Sequence, residues 1–256
     1  MKITQIRNAT LRIEFGGFRF LVDPVLADKD SYPGFPGTYN DHLKWPKVDL
    51  PLPVSEVINV DAVIVTHTHE DHFDRAAMEE IRKDMPIFAQ DEDDARGISS
   101  AGFTDVRILT EKSTFGSVSL IKTPGQHGSD KVIAAIGKRL GEVCGVIFKS
   151  ENEKILYLAG DTTWNRYVED TLLRYSPDVI ILNSGDAQVL GLGSIIMNKE
   201  DVYKVFKAAP RATLIASHME AVNHAALTRV ELRDYSAETG MIDRLLVPED
   251  GETVIF

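Results

Sequence analysis

Between Thr66 and His72 the chain reads Thr-His-Thr-His-Glu-Asp-His, which puts three imidazoles and the Asp71 carboxylate directly behind the apolar run Ala62-Val63-Ile64-Val65. Imidazole nitrogen and carboxylate oxygen are the donors that suit zinc and its first-row neighbours. Alternate residues of an extended backbone point the same way, so His67 and His69 share one side, while Asp71 and His72 turn toward a second point. The competing reading is a solvated loop leading into a helix over about Arg75 to Lys83 with Asp74 as its N-cap. Three of the chain's 7 histidines falling in this one stretch weigh against it.

The elements that would position such a cluster recur along the chain. Phe18 to Val22 runs into Asp23-Pro24, Val118 to Ile121 leads toward Gly125-Gln126-His127, Ile155 to Ala159 meets Gly160-Asp161, and Thr213 to Ser217 meets His218. Near-continuous apolar strands belong to sheets covered on both faces, and donors at one rim of such a sheet could converge on one site. Alone, Asp161 could be a turn residue and His127 a loop histidine; their joint occurrence with the cluster is what raises them. Helices are expected at Arg75 to Lys83, Asp91 to Ser99, Val168 to Tyr175, Lys199 to Ala208 and about His224 to Glu238, the last with Asn223 as N-cap. This α/β pattern permits a two-sheet sandwich with outer helices, in one domain spanning residues 1–256.

Residues 28–56 differ, being rich in proline, glycine and aromatics from Ser31 to Tyr39, at Trp45-Pro46 and from Leu50 to Pro53. A loop of this length is usually functional or disordered. Aromatics between stiff proline turns fit an ordered cover, even a lid, and a surface flap equally. His42, within it, reads as an ordinary loop histidine.

Composition narrows the partners. A formal charge of −11 and a pI near 5.1 disfavour a broad phosphate-backbone footprint, so extended nucleic acid is not expected. Cys144 is the only cysteine and lies in an apolar stretch, which excludes an internal disulfide or thiolate cluster and points to core packing. The N-terminus lacks an apolar signal region and no run approaches the ~18 apolar residues of a membrane span, so the expected location is the cytoplasm, with no membrane partner. A homo-oligomer is open.

The pattern His67-x-His69-x-Asp71-His72, followed in order by His127, Asp161 and His218, resembles the metallo-β-lactamase superfamily of hydrolases. Asp23, Gly125-Gln126-His127-Gly128, Ala159-Gly160-Asp161-Thr162 and Ser217-His218 look like that family's other motifs, so the likeness spans most of the chain. It implies a four-layer αββα sandwich in which His67, His69 and His127 bind one metal, Asp71, His72 and His218 bind a second, and Asp161 bridges them. Asp23 would sit behind the ligands and orient them. The chain is most similar to the cytoplasmic branch that includes sugar-phosphate lactonase-like enzymes, although it has Asn8 where many relatives carry a histidine.

The expected activity is therefore that of a binuclear metallohydrolase, cleaving a small ester, lactone or phosphorylated metabolite with a metal-bound hydroxide. Two divalent ions are expected, zinc first, with manganese or iron as alternatives. Asp71 or Asp161 would orient the water and accept its proton. His224, left over when the metal positions are filled, would bind a substrate oxygen or assist the leaving group; Asn183, Asp186, Trp164 and Arg166 are further pocket candidates. The rivals are a phosphodiesterase or nuclease on the same fold, a diiron oxidoreductase, and a noncatalytic metal-dependent sensor.

Overall fold

The computed structural model describes residues 1–256. The chain begins with β1 (Lys2–Arg7), β2 (Thr10–Phe15), β3 (Phe18–Val22), β4 (Ala62–Val65), β5 (Ile87–Ala89) and β6 (Val106–Ile108). It continues through β7 (Ser113–Phe115), β8 (Val118–Pro124), β9 (Cys144–Lys149), β10 (Leu156–Leu158) and β11 (Val179–Asn183) to a small hairpin, β12 (Gln188–Val189) and β13 (Gly193–Ser194). The last strands are β14 (Thr213–Ser217), β15 (Leu245–Leu246) and β16 (Thr253–Ile255), which returns to pair with β1.

Two seven-stranded sheets result, in the orders β16-β1-β2-β3-β4-β5-β6 and β15-β14-β11-β10-β9-β8-β7. They are built alike. β1 to β3 pair antiparallel and β3 to β6 parallel; β7 to β10 pair antiparallel, and β10, β11, β14 and β15 parallel. The parallel strands of one sheet all end at the same rim, which is why each chemical residue stands just past a strand.

The pleat explains the unbroken apolar runs. In β4, Ala62 and Ile64 face the core between the sheets, while Val63 and Val65 face the outer layer. In β11, Val179 and Ile181 point inward and Ile180 and Leu182 outward. The outer face of the first sheet is covered by α1 (Val54–Val57), α2 (Arg75–Glu80) and α3 (Glu92–Ser100), through Val57, Ala77 and Ile98. A further helix, α4 (Asp130–Leu140), packs Val132 and Leu140 against Ala187, Ile195 and Ile196. The second sheet is covered by α5 (Arg166–Tyr175), α6 (Lys199–Ala208) and α7 (Arg229–Thr239), through Leu172, Val205 and Leu232 among others. This is the αββα sandwich. No helix is long and apolar enough to cross a membrane.

Local structure departs from the sequence reading in three places. α2 stops at Glu80 rather than Lys83 because Ile81 turns to an extended conformation that buries its side chain. α4 was not expected, although Ser129 caps it by accepting from Val132 N–H and Lys138 and Arg139 complement its last turn. α7 begins at Arg229, not near His224: Thr228 and Glu231 form a reciprocal capping box, and Asn223 is no helix cap.

Asn223 instead ties down the insertion, accepting from Phe35 N–H and donating to Thr38 Oγ1 and Tyr39 O. Beneath it the fully buried Trp45 stacks on Phe35 (ring centroids 5.1 Å apart) and contacts Tyr32 (4.7 Å). The Arg7 guanidinium donates to the carbonyls of Val25, Ala27 and Val48, and the Asp74 carboxylate accepts from Leu26 and Ala27 N–H. Residues 28–56 are thus ordered and tied to the body of the protein.

Between the sheets, Phe148 sits edge-on to Phe15 and Phe20 at 5.7 and 5.6 Å. Phe148→Ala is expected to cost about 3–5 kcal/mol of stability, because a buried ring is lost where two rigid sheets cannot collapse into the gap. Urea titration of the metal-free protein reads this; a loss below about 1 kcal/mol would show that the inter-sheet core is not what holds the layers together.

Candidate metal centre

Each candidate donor stands beyond the end of a strand, and hydrogen bonds behind the rim fix the direction of His72 and His127. Asp23 follows β3 and accepts from Thr66 N–H and Thr66 Oγ1, both at 2.7 Å, locking the turn that opens the histidine cluster. Its Oδ2 also lies 2.9 Å from His72 Nδ1, so the outer nitrogen of that ring carries the proton and Nε2 is left facing inward. His127 Nδ1 donates likewise to Ile195 O at 2.8 Å.

The loop after β14 is held by closer constraint. His218 adopts a left-handed backbone (φ 57°), and Gly185 passes so near that a Cβ there would stand 2.1 Å from His218 O. Asn8, also left-handed, accepts from His218 N–H and donates through Nδ2 to Asp71 O, stitching two of the loops together. Gly160 does the same service beside Asp161, where a side chain would meet Cys144 O at 2.3 Å.

These constraints bring the donors together. His67, His69 and His127 form one group; Asp71, His72 and His218 form another; in each, all donor atoms lie within 4.8 Å of one another. His67 Nε2 is 3.0 Å from His69 Nδ1, His72 Nε2 is 3.2 Å from His218 Nε2, and His218 Nε2 is 3.5 Å from Asp71 Oδ2. Asp161 Oδ2 lies between the groups, at 3.1 Å from His72 Nε2, 3.6 Å from His127, 3.8 Å from His218 and 3.9 Å from His67. Donors on one tetrahedral ion at about 2.0–2.1 Å stand about 3.3 Å apart, so the residues present fit divalent metal.

Electrostatics make the same point. Burial drives the His67 ring far below its usual range, helped by the neighbouring imidazoles, and drives His127 down to about 4. Burial also opposes charge on His72, but Asp161 and Asp23 override it and raise that ring well above normal. Burial works against the carboxylates of Asp71 and Asp161 too, yet the surrounding imidazoles hold both well below the ordinary carboxylate range. The centre is thus anionic at Asp71 and Asp161 and neutral at His67 and His127, the protonation that cation binding requires.

Other candidates fall elsewhere. His224 lies in a turn with Nε2 3.9 Å from Asp71 Oδ2, its ring edge-on to Phe35 at 5.0 Å and its buried Nδ1 without a partner. It is depressed to about 4, as expected of a neutral ring, but burial and not a helix N-terminus is the cause. Asn183 donates to Asp161 and so belongs to the centre. Asp186 accepts from Gln188 and Ser194 within the β12–β13 region, and Trp164 and Arg166 line a polar cleft of about 790 Å³ at the starts of α5 and α6. His42 is exposed and Cys144 is buried. Thr66 and Gln5 escaped the sequence reading: Thr66 bonds Asp23, and Gln5 donates to Asn8 O, contacts with no signature in residue type or spacing.

A family model described as the Beta-lactamase superfamily domain matches residues 18–219. The YddR protein of Bacillus subtilis (strain 168) is 46% identical over 257 residues, covering 100% of both chains. Among solved structures, an isothiocyanate hydrolase from Delia radicum gut bacteria superposes with a TM-score of 0.98 at 47% identity, over 100% of this chain and 99% of that one. A possible metal-dependent hydrolase from Veillonella parvula does so with a TM-score of 0.98 at 44% identity and the same coverage.

The depressed rings have a measurable consequence in chelator-treated protein. His127 and His224 fall from 6.5 to about 4 on folding, so between those values the unfolded chain binds more protons and stability falls as pH falls. His72, raised on folding, opposes only above its unfolded value, where its contribution is lost as pH rises through the folded one. The carboxyls of Asp74, Asp94, Asp186 and Asp250, raised by burial, oppose over part of this range, so the imidazole share is read by difference: the drop in denaturation midpoint between about pH 6.5 and about pH 4 should be smaller in His224→Ala than in wild type. An identical profile in the two proteins would contradict the burial of a neutral imidazole at His224.

Proposed function

The chain belongs to the metallo-β-lactamase superfamily and is a metal-dependent hydrolase, and from that footing we propose that it holds two divalent ions and hydrolyses a small electrophilic compound. The observation that carries the binuclear reading is the convergence of two donor groups on Asp161 Oδ2. His67, His69 and His127 would hold one ion and Asp71, His72 and His218 the other, with Asp161 bridging; all-nitrogen and oxygen donors make zinc the first choice, with manganese or iron as alternatives. When bound, the ions supply a nucleophilic water at neutral pH and polarise the carbon or phosphorus it attacks.

The protein's own groups do the rest. Asp71 or Asp161 orients the water, and Asp71 accepts its proton at a carboxylate oxygen. His69 is the one donor of the set that is not buried, so substrate approaches from its side. His224, neutral and with a free Nδ1, contacts the substrate heteroatom next to Asp71, while Phe35 and Trp45 in the cover above it exclude water and favour an apolar substituent.

The isothiocyanate hydrolase that shares 47% of this sequence supports isothiocyanates as one substrate class, beside the esters, lactones and phosphorylated metabolites to which the donor set is equally suited. In that case water adds to the central carbon of N=C=S, and cleavage of the C–N bond releases the amine and carbonyl sulfide. The charge of −11 disfavours long nucleic acids as substrates.

A screen of isothiocyanates, lactones, esters and phosphodiesters identifies the substrate, and turnover should vanish with chelator and return with metal. On that substrate His67→Ala or His69→Ala is expected to abolish hydrolysis with only a modest change in melting, since both residues stand at a strand end. Near-normal turnover by either variant at verified metal content would refute the assignment. His224→Ala should leave metal content unchanged while lowering kcat, or raising KM if the ring only binds substrate. Loss of one ion in that variant would place His224 among the ligands instead.

A further inference from the structure

Asp161 has two oxygens, and the structure treats them differently. Oδ2 faces the imidazoles of both donor groups. Oδ1 has a single partner, Asn183 Nδ2, at 2.7 Å. Asn183 is the last residue of β11, in register with Ser217 just before His218, and its carbonyl accepts from Met197 N–H, so its backbone is fixed on both sides. The pleat that sends Val179 and Ile181 into the inter-sheet core sends Asn183 the same way, one step past the core and into the centre.

The Asn183 amide is only 2% exposed, yet its Oδ1 has no partner. Turning the amide over would set that oxygen against Asp161 Oδ1, two acceptors at hydrogen-bond distance, so the carboxylate itself dictates which way the amide faces. A buried carbonyl is left unsatisfied to keep one N–H on Asp161.

We propose that Asn183 is a positioning residue that occupies Asp161 Oδ1 and so makes Asp161 a bridge through one oxygen, Oδ2. The inference rests on the binuclear reading above and specifies how its bridge is kept. With Oδ1 engaged, the carboxylate cannot swing to grip one ion with both oxygens, and the two ions share an atom. Without the Asn183 donor, Asp161 rotates, serves one ion alone, and the second ion loses a ligand.

Manganese(II) tests this directly, because two Mn(II) ions sharing an oxygen show an exchange-coupled electron paramagnetic resonance spectrum and separated ions do not. Wild-type protein loaded with Mn(II) should take up two ions and give the coupled spectrum. Asn183→Leu, similar in shape though larger and without a donor, should bind the second ion about tenfold or more weakly and give the spectrum of isolated ions. Asn183→Ser, whose hydroxyl is too short to reach, should behave the same way and serves if the leucine variant does not fold. If neither folds, nitrogen-15 spectra of wild-type zinc protein decide: a slowly exchanging Asn183 side-chain proton is expected, and a rapidly exchanging one overturns the proposal. Coupled spectra and affinities within about twofold of wild type in a folded variant also overturn it, leaving the binuclear reading intact. A wild-type protein that holds one ion, or two uncoupled ions, removes that reading and this inference together.

Discussion

Two carboxylates and several imidazoles lie almost entirely out of water at the rim of the sandwich, and the rest of the structure answers to that concentration of charge. Asp71 and Asp161 are 5% and 3% exposed, in surroundings where an isolated carboxylate would take up a proton rather than remain charged. They stay anionic because imidazole nitrogens surround them and because a cation can take the place of the protons those rings would otherwise carry. Such a balance fails if any donor wanders by an ångström. Hydrogen bonds behind the rim, from Thr66 and His72 to Asp23, from His127 to Ile195 O, from Asn8 to Asp71 O and from His218 N–H to Asn8 O, hold His72, His127 and the loops of Asp71 and His218 in place.

The fold supplies rigidity where the chemistry needs it. Both sheets are anchored back to back by aromatic and aliphatic side chains, and each presents the ends of its parallel strands to the same rim. Strand ends are a good place for such a centre because the backbone up to that residue is fixed by the ladder, while the next few residues are free to adopt unusual conformations. His218, Asp23 and Asn8 all have positive φ, which a non-glycine residue adopts only where its neighbours hold it there. Over this frame the insertion adds a cover whose aromatic stack rests against His224, so the residues proposed to select substrate are built separately from those that converge on Asp161.

Much of this was written in residue types. The runs at Phe18, Ala62 and Thr213 form strands with the expected limits, because an unbroken apolar run bounded by a chemical residue has few other homes. The residues that converge were legible for the same reason: histidines this close together have little use elsewhere. What escaped was set by tertiary contact. Asn223 before His224 looks like a helix start, but its side chain is claimed by the insertion and the helix waits for Thr228. α4 is the exception, since Ser129 caps it and Val132, Ile136 and Leu140 recur at helical spacing, a signal present in the sequence itself. Asn183 read as one loop residue among several, since nothing in the sequence shows that its amide meets Asp161.

The central claim is that two ions sit on either side of Asp161. Anomalous X-ray scattering from a crystal grown with zinc and measured at the zinc edge tests it most directly. The account predicts two peaks within one chain, one against His67, His69 and His127 and the other against Asp71, His72 and His218, each about 2.0–2.2 Å from Asp161 Oδ2. A single peak at full occupancy, or a second one that does not touch Asp161, would contradict it.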